Sequence, residues 1–120
     1  MAKGDDIQER LIDFAVRVID FCARLPRTQA GRHVAGQLIR SGTSPAPNYA
    51  EARAAESTKD FIHKLKISLK ELNETKVWLQ ICKRGKLPRD NGIVEVFNEC
   101  DELCKIISAS IKTVVTNNRN

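Results

Sequence analysis

The stretch Arg40–Ala52, RSGTSPAPNYAEA, decides how this chain of 120 residues folds. It places Pro45 and Pro47 in the middle of a sequence whose apolar residues otherwise follow helical spacing. Proline is tolerated in the first turn of a helix, where a backbone N–H would have no intrahelical acceptor. We therefore predict that the second helix is kinked or broken near Gly42–Pro47. It either restarts with Ser44 as its N-cap or bends and continues.

Three segments around this stretch carry apolar residues at alternating steps of four and three, which is typical of helices that bury one face. The spacing predicts helices over about 7–25, 58–84 and 92–116, and the proline-containing segment adds a helix over about 32–55. That second helix is rich in alanine and glycine, so it must lie sandwiched between bulkier neighbours. Together the helices predict an all-α fold, an antiparallel up-down four-helix bundle, in a single domain spanning 1–120.

A line of polar residues steps by three and four along one face of the second helix: Gln37, Arg40, Ser44, Asn48 and Glu51. With Ser68, which falls on a core position of the third helix, we interpret this line as a structural polar network or a subunit interface. The alternative is an enzyme site that uses Arg40, Asn48 and Glu51. The sequence shows neither a nucleophile with a base nor a metal cluster, so we expect no catalytic residues.

Charge and cysteine content limit the classes of function. Twenty Lys and Arg residues against 15 Asp and Glu give a net charge of +5, which suits either nucleic-acid binding or a soluble lysine-rich surface. The four cysteines lack the C-x-x-C spacing of zinc sites, so we expect buried, reduced thiols, no metal and no cofactor. Without a signal peptide or an apolar run that could span a bilayer, we expect a cytoplasmic protein with no membrane partner.

Basic residues mark the outer face of the predicted third helix. The first four step by four, three and four, which predicts one stripe of about 16 Å at 1.5 Å per residue. Because lysines along a helix contact phosphates without reading sequence, the stripe and the basic residues after it are candidate nucleic-acid contacts. These residues are Lys59, His63, Lys66, Lys70, Lys76, Lys83, Arg84, Lys86 and Arg89. A solvated face that keeps the protein soluble explains them equally well.

A second apolar strip on the same helix contains Ile67, Trp78 and Ile81, off the main heptad line. Such a strip packs either on a neighbouring subunit or into a wide core face, since a bundle helix often buries three positions in seven. We interpret it as a subunit interface.

Several motifs together carry a family resemblance. Ser44–Ala52, SPAPNYAEA, resembles the S-x-x-x-N-[IV]-A-E-G signature of bacterial four-helix-bundle proteins encoded by intervening sequences in 23S ribosomal RNA genes. Gln37–Ser41, Ser57–Phe61 and Ile67–Thr75 resemble flanking motifs of that family in the same order. Two positions depart from the signature, with alanine in place of glycine and tyrosine in place of isoleucine or valine: Ala52 and Tyr49.

The resemblance implies an up-down bundle that assembles into a homopentameric ring. It also implies similarity to the accessory protein of diversity-generating retroelements, a basic pentameric barrel that binds nucleic acid and a reverse transcriptase. It carries no catalytic residues and leaves the biochemical role unknown. We predict a non-enzymatic homo-oligomer, a pentamer, whose partners are other copies of itself, RNA or DNA, and a protein. The alternative is a protein-interaction scaffold that binds no nucleic acid.

Overall fold

The computed structural model describes residues 4–88 and 92–118. These residues form five helical segments and no strand. The segments are α1 (Asp5–Ala23), α2 (Gln29–Thr43), α3 (Pro45–Arg53), α4 (Thr58–Gly85) and α5 (Ile93–Asn118). Because α2 and α3 follow one another along a single column, the molecule is a four-helix bundle, measuring 51 × 24 × 21 Å. The predicted all-α bundle with a broken second helix is confirmed.

The four columns have a fixed neighbour order. Among the described residues, α1 contacts α2, α3 and α5, and α4 contacts the same three segments, whereas α1 and α4 share no contact. The first and third columns of the bundle therefore lie on one diagonal, and their outer faces point to opposite sides of the molecule. The core between the columns is mostly aliphatic, and its fully buried side chains include Leu11, Phe14, Val18, Phe21, Leu38, Leu65, Leu72, Leu79, Leu103 and Ile107.

The break between α2 and α3 is confined to Ser44, whose backbone stays helical at φ −71° and ψ −36°. Pro45 and Pro47 have no N–H to donate, and the backbone ladder resumes where Asn48 donates to the Ser44 carbonyl oxygen over 3.2 Å. The Ser44 side chain makes no capping bond to the following turn. Ser44 thus occupies the N-cap position of α3 without capping it through its side chain, because its backbone is helical rather than extended; this is nearer to the second predicted alternative, a helix that bends and continues.

Small residues let α2 fit between α1 and α4, as predicted. A Cβ atom on Gly42 would lie 2.8 Å from both methyl groups of Val18 on α1, closer than real Cβ atoms approach. On the other side of the column, the hydroxyls of Ser41 and Thr75 share a buried hydrogen bond of 2.9 Å. The second column is therefore held by close packing against α1 and by hydroxyl contacts with α4.

Candidate nucleic-acid interface

The basic stripe, defined as Lys59, His63, Lys66 and Lys70, lies on the side of α4 that faces away from the core. All four side chains are exposed, and none forms an ion pair with another described residue. The helix buries its opposite side through residues such as Leu65. Since successive residues turn by about 100°, the predicted steps of four, three and four do place these side chains on one face.

Lys76 and Lys83 lie outside the basic stripe and face α5. Lys76 Nζ donates to Asp101 Oδ1 over 2.6 Å, and this bond raises the pKa of Lys76 and lowers that of Asp101. The ammonium groups of both lysines also lie over the ring of Phe97, at 5.9 and 5.7 Å from its centroid. Lys76 follows Lys70 by six residues, a rotation of about 240°, which takes it off the stripe.

The remaining basic residues of the prediction continue past the end of α4. Arg84 is exposed and, fourteen residues after Lys70, returns to within about 40° of the stripe. Lys86 is exposed and has a positive φ of 55° just beyond the helix end. Arg89 lies outside the described residues.

Between the basic stripe and Arg84, the exposed side of α4 carries two aliphatic side chains beside the polar Asn73. Val77 and Ile81 follow Lys70 by seven and eleven residues, so they share its face, and they are 54% and 44% exposed. The sequence analysis missed Val77, although its spacing from Lys70 was a sufficient signal. The exposed side of α4 is thus basic in its first half and aliphatic in its second half.

The predicted second apolar strip of α4 is divided by the structure. Ile67 and Trp78 are half-buried, whereas Ile81 is exposed. The Trp78 ring meets the edge of His33 on α2, with ring centroids 5.8 Å apart, and its Nε1 donates to Glu74 over 3.1 Å. Trp78 therefore packs at the α2–α4 boundary within one chain, and its assignment to a subunit interface stays a prediction.

An exposed apolar stripe runs along α1, on the far side of the bundle from the basic stripe. It consists of Ile12, Val16 and Ile19, which are 39%, 52% and 49% exposed and step by four and three. Ile39 on α2 is 41% exposed and lies between Ala35 and Gly42, both of which contact α1. Apolar spacing along the sequence did not predict this stripe, because it does not show which faces the neighbouring helices leave uncovered.

The predicted polar line is a series of local pairs rather than one network. Arg40, near the N-terminal end of the line, donates to Gln37 and to Glu71 over 3.2 and 3.1 Å. It also pairs with Glu74 on α4. Glu71 and Glu74 therefore share one cationic partner, Arg40. The Arg40 side chain remains about half exposed, which places this cluster on the rim of the α2–α4 contact.

The residues nearer the C-terminal end of the polar line have separate partners. Asn48 Nδ2 donates to the Ser44 carbonyl and hydroxyl oxygens over 3.0 and 2.9 Å. Glu51 pairs loosely with Lys64 at 3.5 Å, and the buried Ser68 hydroxyl donates to the Pro45 carbonyl over 3.2 Å. Arg40, Asn48 and Glu51 thus have separate sets of partners and do not converge on one another as an enzyme site would require.

The four thiols are buried, as predicted. Burial raises the pKa of Cys22 and of Cys82 to about 11. A hydrogen bond from Cys100 lowers the pKa of Cys104, and the charge of Lys76 lowers it further. Within residues 4–88 and 92–118, no three His, Cys, Asp or Glu side chains gather closely enough to hold a metal ion. In the same ranges, no helix combines the length and apolarity that crossing a bilayer requires.

Comparison with known proteins supports the family resemblance. The family model described as 23S rRNA-intervening sequence protein matches residues 5–109. A crystal structure of a protein of unknown function, from the S23 ribosomal protein family of Bacteroides thetaiotaomicron, is 34% identical in sequence with a TM-score of 0.80. That similarity covers 88% of this chain and 98% of the other. No curated protein matches the sequence. The chain belongs to the 23S rRNA-intervening sequence protein family.

Proposed function

We propose that this protein is a non-enzymatic homo-oligomer of five chains that binds RNA or DNA through the basic stripe of α4. The observation that carries the proposal is a row of exposed basic side chains with no ion-pair partner among the described residues. An unpaired lysine releases a condensed counterion when it meets a phosphate, which drives binding. A lysine such as Lys76, already bound to Asp101, would first have to give up that partner.

Self-association would use the opposite side of the bundle. The apolar stripe of α1, with the neighbouring Ile39, exposes aliphatic surface that a second chain would remove from water. In a ring of five, each α1 stripe would pack on a different face of the next subunit, and a face on α2, α3 or α5 would leave the basic stripe exposed. A ring of such subunits would present several stripes to one nucleic acid, and linked weak sites raise the overall affinity.

A second candidate function is a protein-interaction scaffold. It is favoured by Val77 and Ile81, which expose aliphatic side chains on the same face as the basic stripe. A phosphate backbone offers no apolar surface for such residues to contact. A protein partner with acidic and apolar side chains would contact both halves of the face. Binding to such a partner would persist at high salt, because burial of apolar surface is not screened by ions.

The solution mass, measured by light scattering with and without a short RNA at 50 and 200 mM salt, separates these functions. A pentamer that gains mass with RNA at low salt and loses it at high salt supports the proposal. A pentamer indifferent to RNA at both salt concentrations shifts the assignment to a protein scaffold. A monomer overturns the oligomeric part of the proposal.

Charge reversal locates the nucleic-acid contact. The double variant Lys66→Glu, Lys70→Glu changes the net charge by four units, and we expect RNA affinity at low salt to fall by at least about tenfold with a flatter salt dependence. The control, Arg27→Glu with Lys112→Glu, makes the same change in net charge at exposed positions off α4. It should lose less than about threefold. Equal losses in both variants would mean that net charge, and not the stripe, drives binding.

A further inference from the structure

An apolar cavity of about 760 Å³ opens at the end of the bundle where α1 begins and α5 finishes. Its apolar lining comes from three helices and includes Ile7, Phe61, Leu65 and Ile106. Small-molecule sites in proteins are mostly apolar clefts of about 300–1,000 Å³ with a few polar groups that orient the ligand. The volume and the lining of this cavity match that description.

Tyr49 supplies the cavity with a hydrogen-bond donor. Its hydroxyl forms no hydrogen bond with another described residue, although the residue as a whole is only 5% exposed. Every fully buried side-chain nitrogen or oxygen among the described residues has a hydrogen-bond partner. Because the Tyr49 hydroxyl has none, it must be partly accessible. It lies beside Gly4, which also lines the cavity: a Cβ atom on Gly4 would be 2.9 Å from the Tyr49 hydroxyl oxygen. Burial raises the pKa of Tyr49, which keeps the phenol protonated and able to donate at neutral pH.

The charged side chain in the described part of the cavity lining already has an ion-pair partner. Arg53 is the charged residue in the lining, and its guanidinium donates to Asp5 and Gln8 over 2.7 and 2.8 Å. Asp5 therefore matches the positive charge of Arg53. A carboxylate entering the cavity would lose hydration without meeting an unmatched cation, and an ammonium group would have no carboxylate of its own to bind. The wall favours an uncharged occupant.

We propose that this cavity binds a small uncharged molecule with an apolar chain or ring and a carbonyl group that accepts a hydrogen bond from Tyr49. The site lies at the end of the bundle, whereas the basic stripe lies on the outer face of α4. Binding of such a molecule and binding of nucleic acid can therefore fail independently of one another.

Three ligands of equal chain length test the preference for an uncharged head group. Octanamide, octanoate and octylamine are titrated into the full chain, with binding followed by calorimetry and by chemical shifts of methyl groups that line the cavity. We expect saturable binding of octanamide that perturbs Ile7, Leu65 and Ile106, and at least about fivefold weaker binding of the two ions. Tighter binding of either ion, or no saturable binding of any ligand, overturns the proposal.

Variants then locate the bound octanamide. Ala109→Phe fills the cavity from an exposed position of α5 and should abolish binding, whereas Ser108→Phe adds the same ring at the neighbouring position, outside this cavity. Tyr49→Phe should weaken binding about 2- to 12-fold, the range of one net hydrogen bond. Wild-type affinity in Tyr49→Phe, or equal losses in the two α5 variants, would contradict the site. If Ala109→Phe does not fold, the Tyr49→Phe result decides.

Discussion

The two sides of α4 differ in the burial and in the chemistry of their side chains. On the inner side, Leu65, Ser68, Leu72, Thr75 and Leu79 are all fully buried. On the outer side, the basic stripe and the aliphatic pair Val77 and Ile81 are exposed. Residues only two or three apart in sequence therefore belong to different sides. We therefore expect substitutions on the inner side to change stability and substitutions on the outer side to change what the protein binds.

The inner side also contains the contacts that hold the broken second helix. Ser68 donates to the carbonyl of Pro45, and Thr75 shares a hydrogen bond with Ser41. Both contacts flank the point where the two prolines interrupt the backbone ladder. Within residues 4–88 and 92–118, the basic stripe, Val77 and Ile81 form no side-chain hydrogen bond or ion pair with another helix.

The largest expected effect comes from truncating equivalent aliphatic residues on the two sides. Leu72→Ala should lower the free energy of unfolding by about 2–5 kcal/mol, because it leaves a cavity in the core. Val77→Ala should lower it by less than about 0.5 kcal/mol, since its side chain is 54% exposed. Urea denaturation measures both. A loss of more than about 1 kcal/mol in Val77→Ala would mean that a second chain covers Val77 in solution.

The sequence was sufficient to predict the inner side of α4 and the all-helical bundle. Periodic apolar spacing reports burial directly, and it correctly included the polar residue Ser68, which lies at a core position. The position of the break was also predictable, because proline lacks a backbone N–H wherever it occurs. The choice between a capped restart and a bend at Ser44 was not predictable, because the backbone angles at Ser44 depend on contacts between helices.

The outer surfaces were predicted less completely. A run of basic residues does not reveal which lysine has a partner on another helix, so Lys76 was grouped with residues about 240° away from it. The apolar stripe of α1 and the cavity beside Tyr49 depend on which faces the tertiary fold leaves uncovered. A list of apolar residues along one helix does not contain that information.

The next effect concerns the hydroxyl contacts of the inner side. Ser68→Ala leaves the Pro45 carbonyl without this donor, and Thr75→Val removes the partner of Ser41. Each should lower the free energy of unfolding by about 1–3 kcal/mol, the cost of an unsatisfied buried polar group. Ser108→Ala, at an exposed position of α5, is the control and should stay within about 0.5 kcal/mol. If the three variants behave alike in urea denaturation, these hydroxyls do not hold the break.

Alkaline pH tests the burial of the inner side through Cys82. The pKa of this thiol rises from an ordinary 9.0 to about 11 in the folded chain, because burial disfavours the thiolate. Its contribution to stability is therefore complete below about pH 9 and is lost as the pH rises towards 11. At pH 10 the loss is about 1 kcal/mol. Cys82→Ala should flatten the fall in the free energy of unfolding between pH 8 and 10, as measured by urea titration at each pH.

Cys104 provides the control for the pH experiment. Its thiol pKa is lowered in the folded chain, so it stabilises the fold more as the pH rises through the range in which unfolded thiols ionise. Cys104→Ala should therefore not flatten the alkaline fall in stability. If it flattens the curve as much as Cys82→Ala does, burial is not what distinguishes the thiols.

The smallest effect is expected where the two sides of α4 meet. Arg40 pairs with Glu71 and Glu74 at the rim, but about half of its side chain is exposed, so water and salt screen these pairs. A double-mutant cycle of Arg40→Ala and Glu74→Ala should give a coupling energy of about 0.2–1 kcal/mol that shrinks in 0.5 M salt. A coupling above about 2 kcal/mol that salt leaves unchanged would place Arg40 in a buried contact. The polar line would then belong to an interface between chains, and the division of α4 into a structural side and a binding side would have to be moved.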